Sequence, residues 1–126
     1  MKQQLFPIRF CLALYWLALF TATHWPMPGI SHAGDLGYDK LIHFGVFVVL
    51  TVLLITSRFS GDTWKNVLVA GVIAAGYAYF DEVTQRLTGR TFSTSDLLFN
   101  LMGVFVVVGA MLPGVGGKPA TFARFV

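Results

Sequence analysis

Hydrophobic residues are concentrated in four long runs, and short polar segments separate each run from the next. The runs cover about residues 10–25, 41–55, 67–80 and 97–112. Each falls short of the roughly 20 residues that cross the hydrocarbon core of a bilayer, so we expect the helices to extend into their polar flanks. Helices of a soluble protein would carry polar faces, which these runs almost lack. The pattern predicts an all-α integral membrane bundle of four transmembrane helices.

The composition indicates that lipid is the solvent for much of the chain. Of 126 residues, 56% are hydrophobic and only 12% are charged, whereas about a quarter of an ordinary globular domain is charged. The length predicts a single domain over residues 1–126. The net charge of +3 comes without a basic run, which argues against nucleic-acid binding. The single cysteine, Cys11, excludes a disulfide within the chain.

The first run has an alternative interpretation as a signal peptide. Lys2 and Arg9 precede it, and the Ser-His-Ala segment 31–33 loosely fits a small-x-small cleavage site. The distance between the run and that segment is long, and two prolines lie between them. We therefore expect the first helix to be retained.

The distribution of basic residues predicts the orientation in the membrane. With four spans, both termini and the loop near residues 56–66 share one side. That side carries six basic residues, Lys2, Arg9, Arg58, Lys65, Lys118 and Arg124, and the other side carries three, Lys40, Arg86 and Arg90. The positive-inside rule then places both termini in the cytoplasm and the protein in the cytoplasmic (inner) membrane.

Three polar clusters lie at the helix ends on the side away from the termini. They are Asp39, Lys40 and His43; then Asp81, Glu82 and Gln85; then Arg90, Asp96 and Asn100. Polar groups of this kind are costly beside hydrocarbon and are usually functional or mutually paired. Antiparallel packing brings the three ends together, so we predict one outward-facing polar pocket formed by the second, third and fourth helices.

Local signals predict where two helices begin and how closely they pack. Asp39 is a suitable N-cap for the second helix, and Ser93 with Asp96 resembles a capping box for the fourth. Gly103 and small residues of the third helix permit close approach of the backbones. The small residues on the third helix are Gly71, Ala74, Ala75 and Ala78.

The motifs are Asp39-Lys40-x-x-His43-Phe44, Asp81-Glu82-x-x-Gln85 and Arg90-x-x-Ser93-x-x-Asp96-x-x-x-Asn100-x-x-Gly103. Their order and spacing resemble the VanZ-like family of small polytopic membrane proteins. The resemblance covers about residues 35–112, and the first helix matches in hydropathy alone. The family is named for a protein associated with teicoplanin resistance and has no settled chemical activity. The resemblance therefore implies a fold and a site more than a function.

The side chains of the predicted pocket suit an amphiphile with a charged or sugar-bearing head. We expect Lys40 and Arg90 to hold phosphate or carboxylate, and Gln85 and Asn100 to bond hydroxyl or amide groups. His43, Asp81, Glu82 and Asp96 complete the predicted ligand-binding set. The expected partners are membrane lipids or a lipid-linked envelope precursor at the outer leaflet. Glycopeptide tolerance, which the resemblance alone implies, is compatible with binding of such a precursor.

A catalytic alternative is a membrane-embedded hydrolase or transferase acting on a lipid head group. His43 would be the general base, and Glu82 or Asp96 would orient the ring. No nucleophile motif is present, because Ser93 is better explained as a cap. A metal site of His43 with two carboxylates lacks the usual second histidine, so we expect neither a metal nor a cofactor.

Structural alternatives also remain open. The positive charges of Lys40, Arg86 and Arg90 balance the negative charges of the three carboxylates. These side chains could form a ring of salt bridges that fixes the helix register. A third function hypothesis is a structural scaffold or a small transport component, and transport would need an oligomer. Lys40 or Arg90 is the expected partner of the acidic pair that ends the third helix. His24 and His32 are expected to be interfacial or loop residues without chemistry.

Overall fold

The structure is a computed structural model that describes residues 2–25, 36–59 and 62–112. Its helices are α1 (Lys2–Thr23), α2 (Leu36–Thr56), α3 (Thr63–Thr84) and α4 (Thr94–Met111), with a short 3₁₀ helix at Gln85–Thr88. All four long helices are apolar and long enough to span a membrane, and the described residues contain no strand. The predicted fold class is confirmed, as is the extension of the helices into their polar flanks. The segment 31–33, Lys118 and Arg124 lie outside the described residues.

The closest packing in the bundle is between α2 and α4. A Cβ atom added to Gly103 would lie 2.5 Å from the carbonyl oxygen of Phe44 and 3.2 Å from the backbone nitrogen of Val48. Only a residue without a side chain fits this contact, because the obstacle is backbone. The expected close approach at Gly103 is therefore confirmed, and it sets the distance between the two helices that carry His43 and Asn100.

The interior of the bundle is apolar, and α1 is its most lipid-exposed helix. Phe47, Leu50 and Leu54 of α2 are fully buried. On α1, by contrast, Leu14 and Leu17 are largely exposed, and this helix packs chiefly on α2. Exposed leucine is stable here because lipid tails are as apolar as its side chain.

At the end of the bundle where α2 ends and α3 begins, polar side chains complete backbone hydrogen bonding. Asn66 donates through Nδ2 to the carbonyl oxygen of Ile55 at 2.6 Å and accepts from the backbone N–H of Phe59 at 2.8 Å. Arg9 donates through Nε to the carbonyl oxygen of Ser57 at 3.2 Å. These bonds satisfy groups that the end of a helix leaves without partners.

The two predicted helix starts have different outcomes. Ser93 is the N-cap of α4, and its hydroxyl accepts from the backbone N–H of Asp96 at 3.3 Å, as expected. The prediction that Asp39 is the N-cap of α2 is wrong, because α2 begins at Leu36 and Asp39 lies within its first turn. A carboxylate there still interacts favourably with the helix dipole.

Candidate functional site

The predicted site residues lie at one end of the bundle, where α1 and α3 end and α2 and α4 begin. Six are less than one tenth exposed: His43, Asp81, Glu82, Gln85, Asp96 and Asn100. Lys40 and Arg90 are half-buried. Buried ionic and amide groups need specific partners. Those partners divide the residues into two clusters.

The first cluster joins α2 to α4 and consists of Asp39, Lys40, His43, Asp96 and Asn100; we call it the α2–α4 cluster. Nζ of Lys40 forms an ion pair with Oδ1 of Asp96. Nδ1 of His43 lies 3.0 Å from Oδ1 of Asn100. An amide oxygen only accepts, so Nδ1 is the donor. The second ring nitrogen, Nε2, faces Oδ1 of Asp39 at 3.8 Å and Oδ2 of Asp96 at 3.7 Å.

Glu82 of α3 borders the α2–α4 cluster and has one oxygen without a partner. Its Oε1 accepts from the backbone N–H of Ser93 at 2.6 Å, the donor that a capping-box glutamate would otherwise bind. Its Oε2 is buried and has no hydrogen-bond partner within the described part of the chain, and the same is true of Nδ2 of Asn100. Glu82 also interacts electrostatically with His43 and Asp96. One free acceptor and one free donor are therefore buried around the same imidazole.

The second cluster joins α1 to α3 and consists of Thr23, His24, Tyr77, Asp81 and Gln85; we call it the α1–α3 cluster. Asp81 accepts from Oγ1 of Thr23 at 2.7 Å and from Nε2 of Gln85 at 2.8 Å, with the hydroxyl of Tyr77 at 3.4 Å. Nδ1 of His24 is 3.7 Å from Oδ1 of Asp81. Both oxygens of this carboxylate are occupied, and its side chain is fully buried.

The contribution of α1 to this end of the bundle was not predicted. Nε2 of His24 lies 2.8 Å from the hydroxyl of Thr84, which leaves the prediction of an interfacial residue without chemistry untested. Thr23 supplies the shortest hydrogen bond to Asp81. The available signal was position, because a Thr-His pair closing an apolar run reaches the same membrane level as the acidic pair that ends α3.

The two half-buried cations do not pair with the acids that end α3. Lys40 binds Asp96, and Nη1 of Arg90 donates to the carbonyl oxygen of Thr23 at 3.3 Å. Arg86 instead packs over the ring of Phe92, with 5.1 Å from Cζ to the ring centroid. The expected offset of Asp81 and Glu82 by Lys40 or Arg90 is therefore wrong for the described residues. Hydrogen bonds from uncharged groups stabilise Asp81 in their place.

The VanZ/LLP1 family model matches residues 3–113. The chain belongs to the VanZ family. The match confirms the resemblance and extends it over α1, which had matched in hydropathy alone. Comparison with curated proteins and with solved structures gave no significant match.

In this VanZ-family protein the two acidic residues at the end of α3 face different parts of the bundle. Successive residues of a helix point about 100° apart, so Asp81 faces α1 while Glu82 faces the start of α4. The hydrogen bonding of the α1–α3 cluster is complete, since both carboxylate oxygens of Asp81 accept from a donor. The α2–α4 cluster with Glu82 retains unused hydrogen-bonding atoms, and ligand atoms of Asp39, His43 and Asp96 lie within 4.8 Å of one another. The unused hydrogen-bonding atoms of the described residues at this end therefore lie on the α4 side.

Proposed function

We propose that this VanZ-family protein binds the polar head group of an envelope lipid between α2, α3 and α4. The observation that carries the proposal is a pair of buried atoms, Oε2 of Glu82 and Nδ2 of Asn100, that have no partner in the part of the chain that the structure describes. An unsatisfied buried polar group costs about 1–3 kcal/mol, and more when it is charged. A ligand that satisfies both atoms removes that cost.

The open atoms indicate the chemistry of the head group. Oε2 of Glu82 needs a donor, and Nδ2 of Asn100 needs an acceptor. A hydroxyl group supplies both, so a polyol or sugar suits them. The guanidinium of Arg90 donates one N–H to the carbonyl oxygen of Thr23 and makes no other hydrogen bond within the described residues, so its remaining N–H groups could bind phosphate. A phosphate-bearing, hydroxylated head group is therefore the proposed ligand class, as in a phospholipid or a lipid-linked wall precursor.

The contacts also divide the predicted binding residues by role. Gln85 directs its amide to Asp81, and Lys40 directs its ammonium to Asp96. Both therefore position other side chains. Glu82, Asn100 and Arg90 are the residues proposed to touch the ligand.

For orientation, we propose that the protein lies in the inner membrane with both termini in the cytoplasm. Arg9, Arg58 and Lys65 lie at the end of the bundle away from the pocket, which agrees with the positive-inside rule. The pocket then opens at the outer leaflet, where wall precursors are displayed. Handling of such a precursor would connect the site to the glycopeptide tolerance that the family resemblance implies.

Binding is favoured over covalent catalysis by the surroundings of His43. Nε2 of His43 faces two carboxylates, from Asp39 and Asp96. Within the described residues no side-chain hydroxyl is bonded to His43, so these residues offer it no serine or threonine nucleophile.

The test is identification of lipids that co-purify with the protein in mild detergent, by native mass spectrometry. Arg90→Gln and Glu82→Gln are expected to reduce the bound lipid about tenfold, because a charge-assisted hydrogen bond contributes about 1.5–3 kcal/mol. Arg86→Gln is the matched control, since it removes the same charge from the same end but from a side chain over Phe92. Equal lipid retention in all three variants would contradict the proposal.

A further inference from the structure

Three potential metal ligands converge at the aqueous edge of the α2–α4 cluster. Asp39 and His43 are four residues apart on one face of α2, and Asp96 approaches from the first turn of α4. Nε2 of His43 lies 3.8 Å from Oδ1 of Asp39 and 3.7 Å from Oδ2 of Asp96. Neither distance is a hydrogen bond, so the imidazole nitrogen faces a space bounded by two carboxylates.

The spacing leaves room for an ion among the three ligands. With metal–ligand bonds of about 2.0–2.2 Å, two ligands of a tetrahedral ion lie about 3.4 Å apart. Small side-chain rotations would therefore bring the three atoms to bonding distance. The carboxyl of Asp39 is one third exposed, which provides access from water.

A second observation points to a missing cation. Glu82 interacts electrostatically with His43 and Asp96 and is 1% exposed. Its Oε2 has no hydrogen-bond partner among the residues that the structure describes. A buried carboxylate needs a donor or a positive charge nearby, and a divalent ion held by Asp39, His43 and Asp96 would supply that charge.

Asn100 fixes the orientation of the imidazole. Nδ1 donates to Oδ1 of Asn100, so Nε2 is the ring nitrogen that faces Asp39 and Asp96 and is placed to bind a metal. A histidine ligand commonly donates its other ring N–H in this way. A nitrogen donor beside two carboxylates suits Zn²⁺ or another transition-metal ion better than Mg²⁺ or Ca²⁺.

We propose that Asp39, His43 and Asp96 form a binding site for a divalent transition-metal ion of the Zn²⁺ class. Lys40 remains on Oδ1 of Asp96, and the metal takes Oδ2. Three protein ligands leave coordination positions open. The three metal ligands differ from the residues proposed to touch the head group, and Glu82 and Asn100 border both sites.

The test is calorimetric titration of chelator-treated protein in detergent with Zn²⁺, together with metal analysis after dialysis. We expect one ion per chain and no competition from equimolar Mg²⁺. Asp39→Asn and His43→Gln should each weaken binding at least tenfold, and Asn100→Ala by about 10–100-fold through loss of ring orientation. Asp62→Asn is the matched control, because Asp62 is an exposed carboxylate paired with Lys65 at the opposite end.

Two readouts separate a metal site from a protonated histidine and from a folding defect. Zn²⁺ should shift the Nε2 resonance of His43 in ¹⁵N spectra of the wild type, and thermal unfolding should show that Asp39→Asn is folded. Absence of saturable binding, no Nε2 shift, or equal affinity in Asp39→Asn and Asp62→Asn would each overturn the proposal. Lipid retention by the metal-free protein decides the head-group proposal separately.

Discussion

Asp81 and Glu82 are adjacent carboxylates at the end of α3, and their surroundings differ sharply. Asp81 has donors on both oxygens, from Thr23, Gln85 and Tyr77. Glu82 binds one backbone N–H, of Ser93, and keeps a buried oxygen without a partner in the described chain. Both side chains are almost fully buried. Burial of a carboxylate at membrane depth therefore does not by itself identify a functional site.

Under the proposed function, a carboxylate whose oxygens are all hydrogen-bonded is structural, and one with a free buried oxygen binds the ligand. A group of buried side chains whose hydrogen bonds are all made joins two helices and contributes stability. A group with an unsatisfied buried atom lowers stability unless a ligand binds that atom. The expected consequences differ in kind, since changes around Asp81 should affect unfolding and changes around Glu82 should affect binding.

The largest expected effect comes from separating the helices that carry the α2–α4 cluster. In Gly103→Ala the new methyl group meets the backbone of Phe44 at 2.5 Å, which cannot yield as a flexible side chain would. We expect a loss of about 3 kcal/mol in the free energy of unfolding, at the upper end of overpacking costs. Detergent unfolding followed by circular dichroism measures it.

Gly109→Ala in the same helix is the control for Gly103→Ala. A Cβ at Gly109 has nothing within 4 Å, so this variant should be as stable as the wild type or more stable by about 0.5–1 kcal/mol. Equal losses in the two variants would show that the α2–α4 contact is not what Gly103 provides.

The second-largest loss of stability is expected when the hydrogen bonds around Asp81 are disrupted. Asp81→Asn replaces one acceptor oxygen with a donor, which then faces Thr23 or Gln85. We expect a loss of about 2 kcal/mol, because at least one buried group becomes unsatisfied. Thermal unfolding checks the value, and lipid retention should persist in the folded variant.

Thr23→Val tests whether α1 stabilises Asp81. The substitution keeps the shape and removes the hydroxyl that donates to Asp81 at 2.7 Å. A loss of about 1 kcal/mol is expected, the usual net value of one hydrogen bond. Thr21→Val is the control, because among the described residues Thr21 bonds only to the carbonyl oxygen of Leu17 in its own helix. If both variants unfold alike, α1 does not stabilise the acidic pair.

Hydropathy was sufficient to predict the fold, but it did not locate the start of α2. Four apolar runs gave four spans because lipid selects helices of that length. The start of α2 was misplaced because the apolar run begins at Leu41, whereas the helix begins at Leu36. Hydrogen bonding continues through polar residues once a helix has formed, so composition does not mark its first turn.

For the candidate site, order along the chain predicted which helix ends meet, but not which side chains pair. The pairing depends on the rotation of each helix about its axis, and one residue changes the direction by about 100°. This is why Asp81 and Glu82 were assigned to one pocket. Thr23 escaped notice because a threonine near a helix end has no distinctive pattern, and only the packing of α1 reveals it.

Glu82→Gln has the smallest expected effect on stability, and it tests directly whether Glu82 and Asp81 differ in role. Glu82→Gln retains a carbonyl oxygen for the N–H of Ser93 and removes a charge that has no partner on Oε2. The free energy of unfolding should therefore change by less than about 1 kcal/mol, since the lost desolvation cost offsets the weaker bond. Its lipid retention should nonetheless fall, which Asp81→Asn should not show. If Glu82→Gln instead unfolds as readily as Asp81→Asn and keeps its lipid, both carboxylates are structural and the pocket has no ligand.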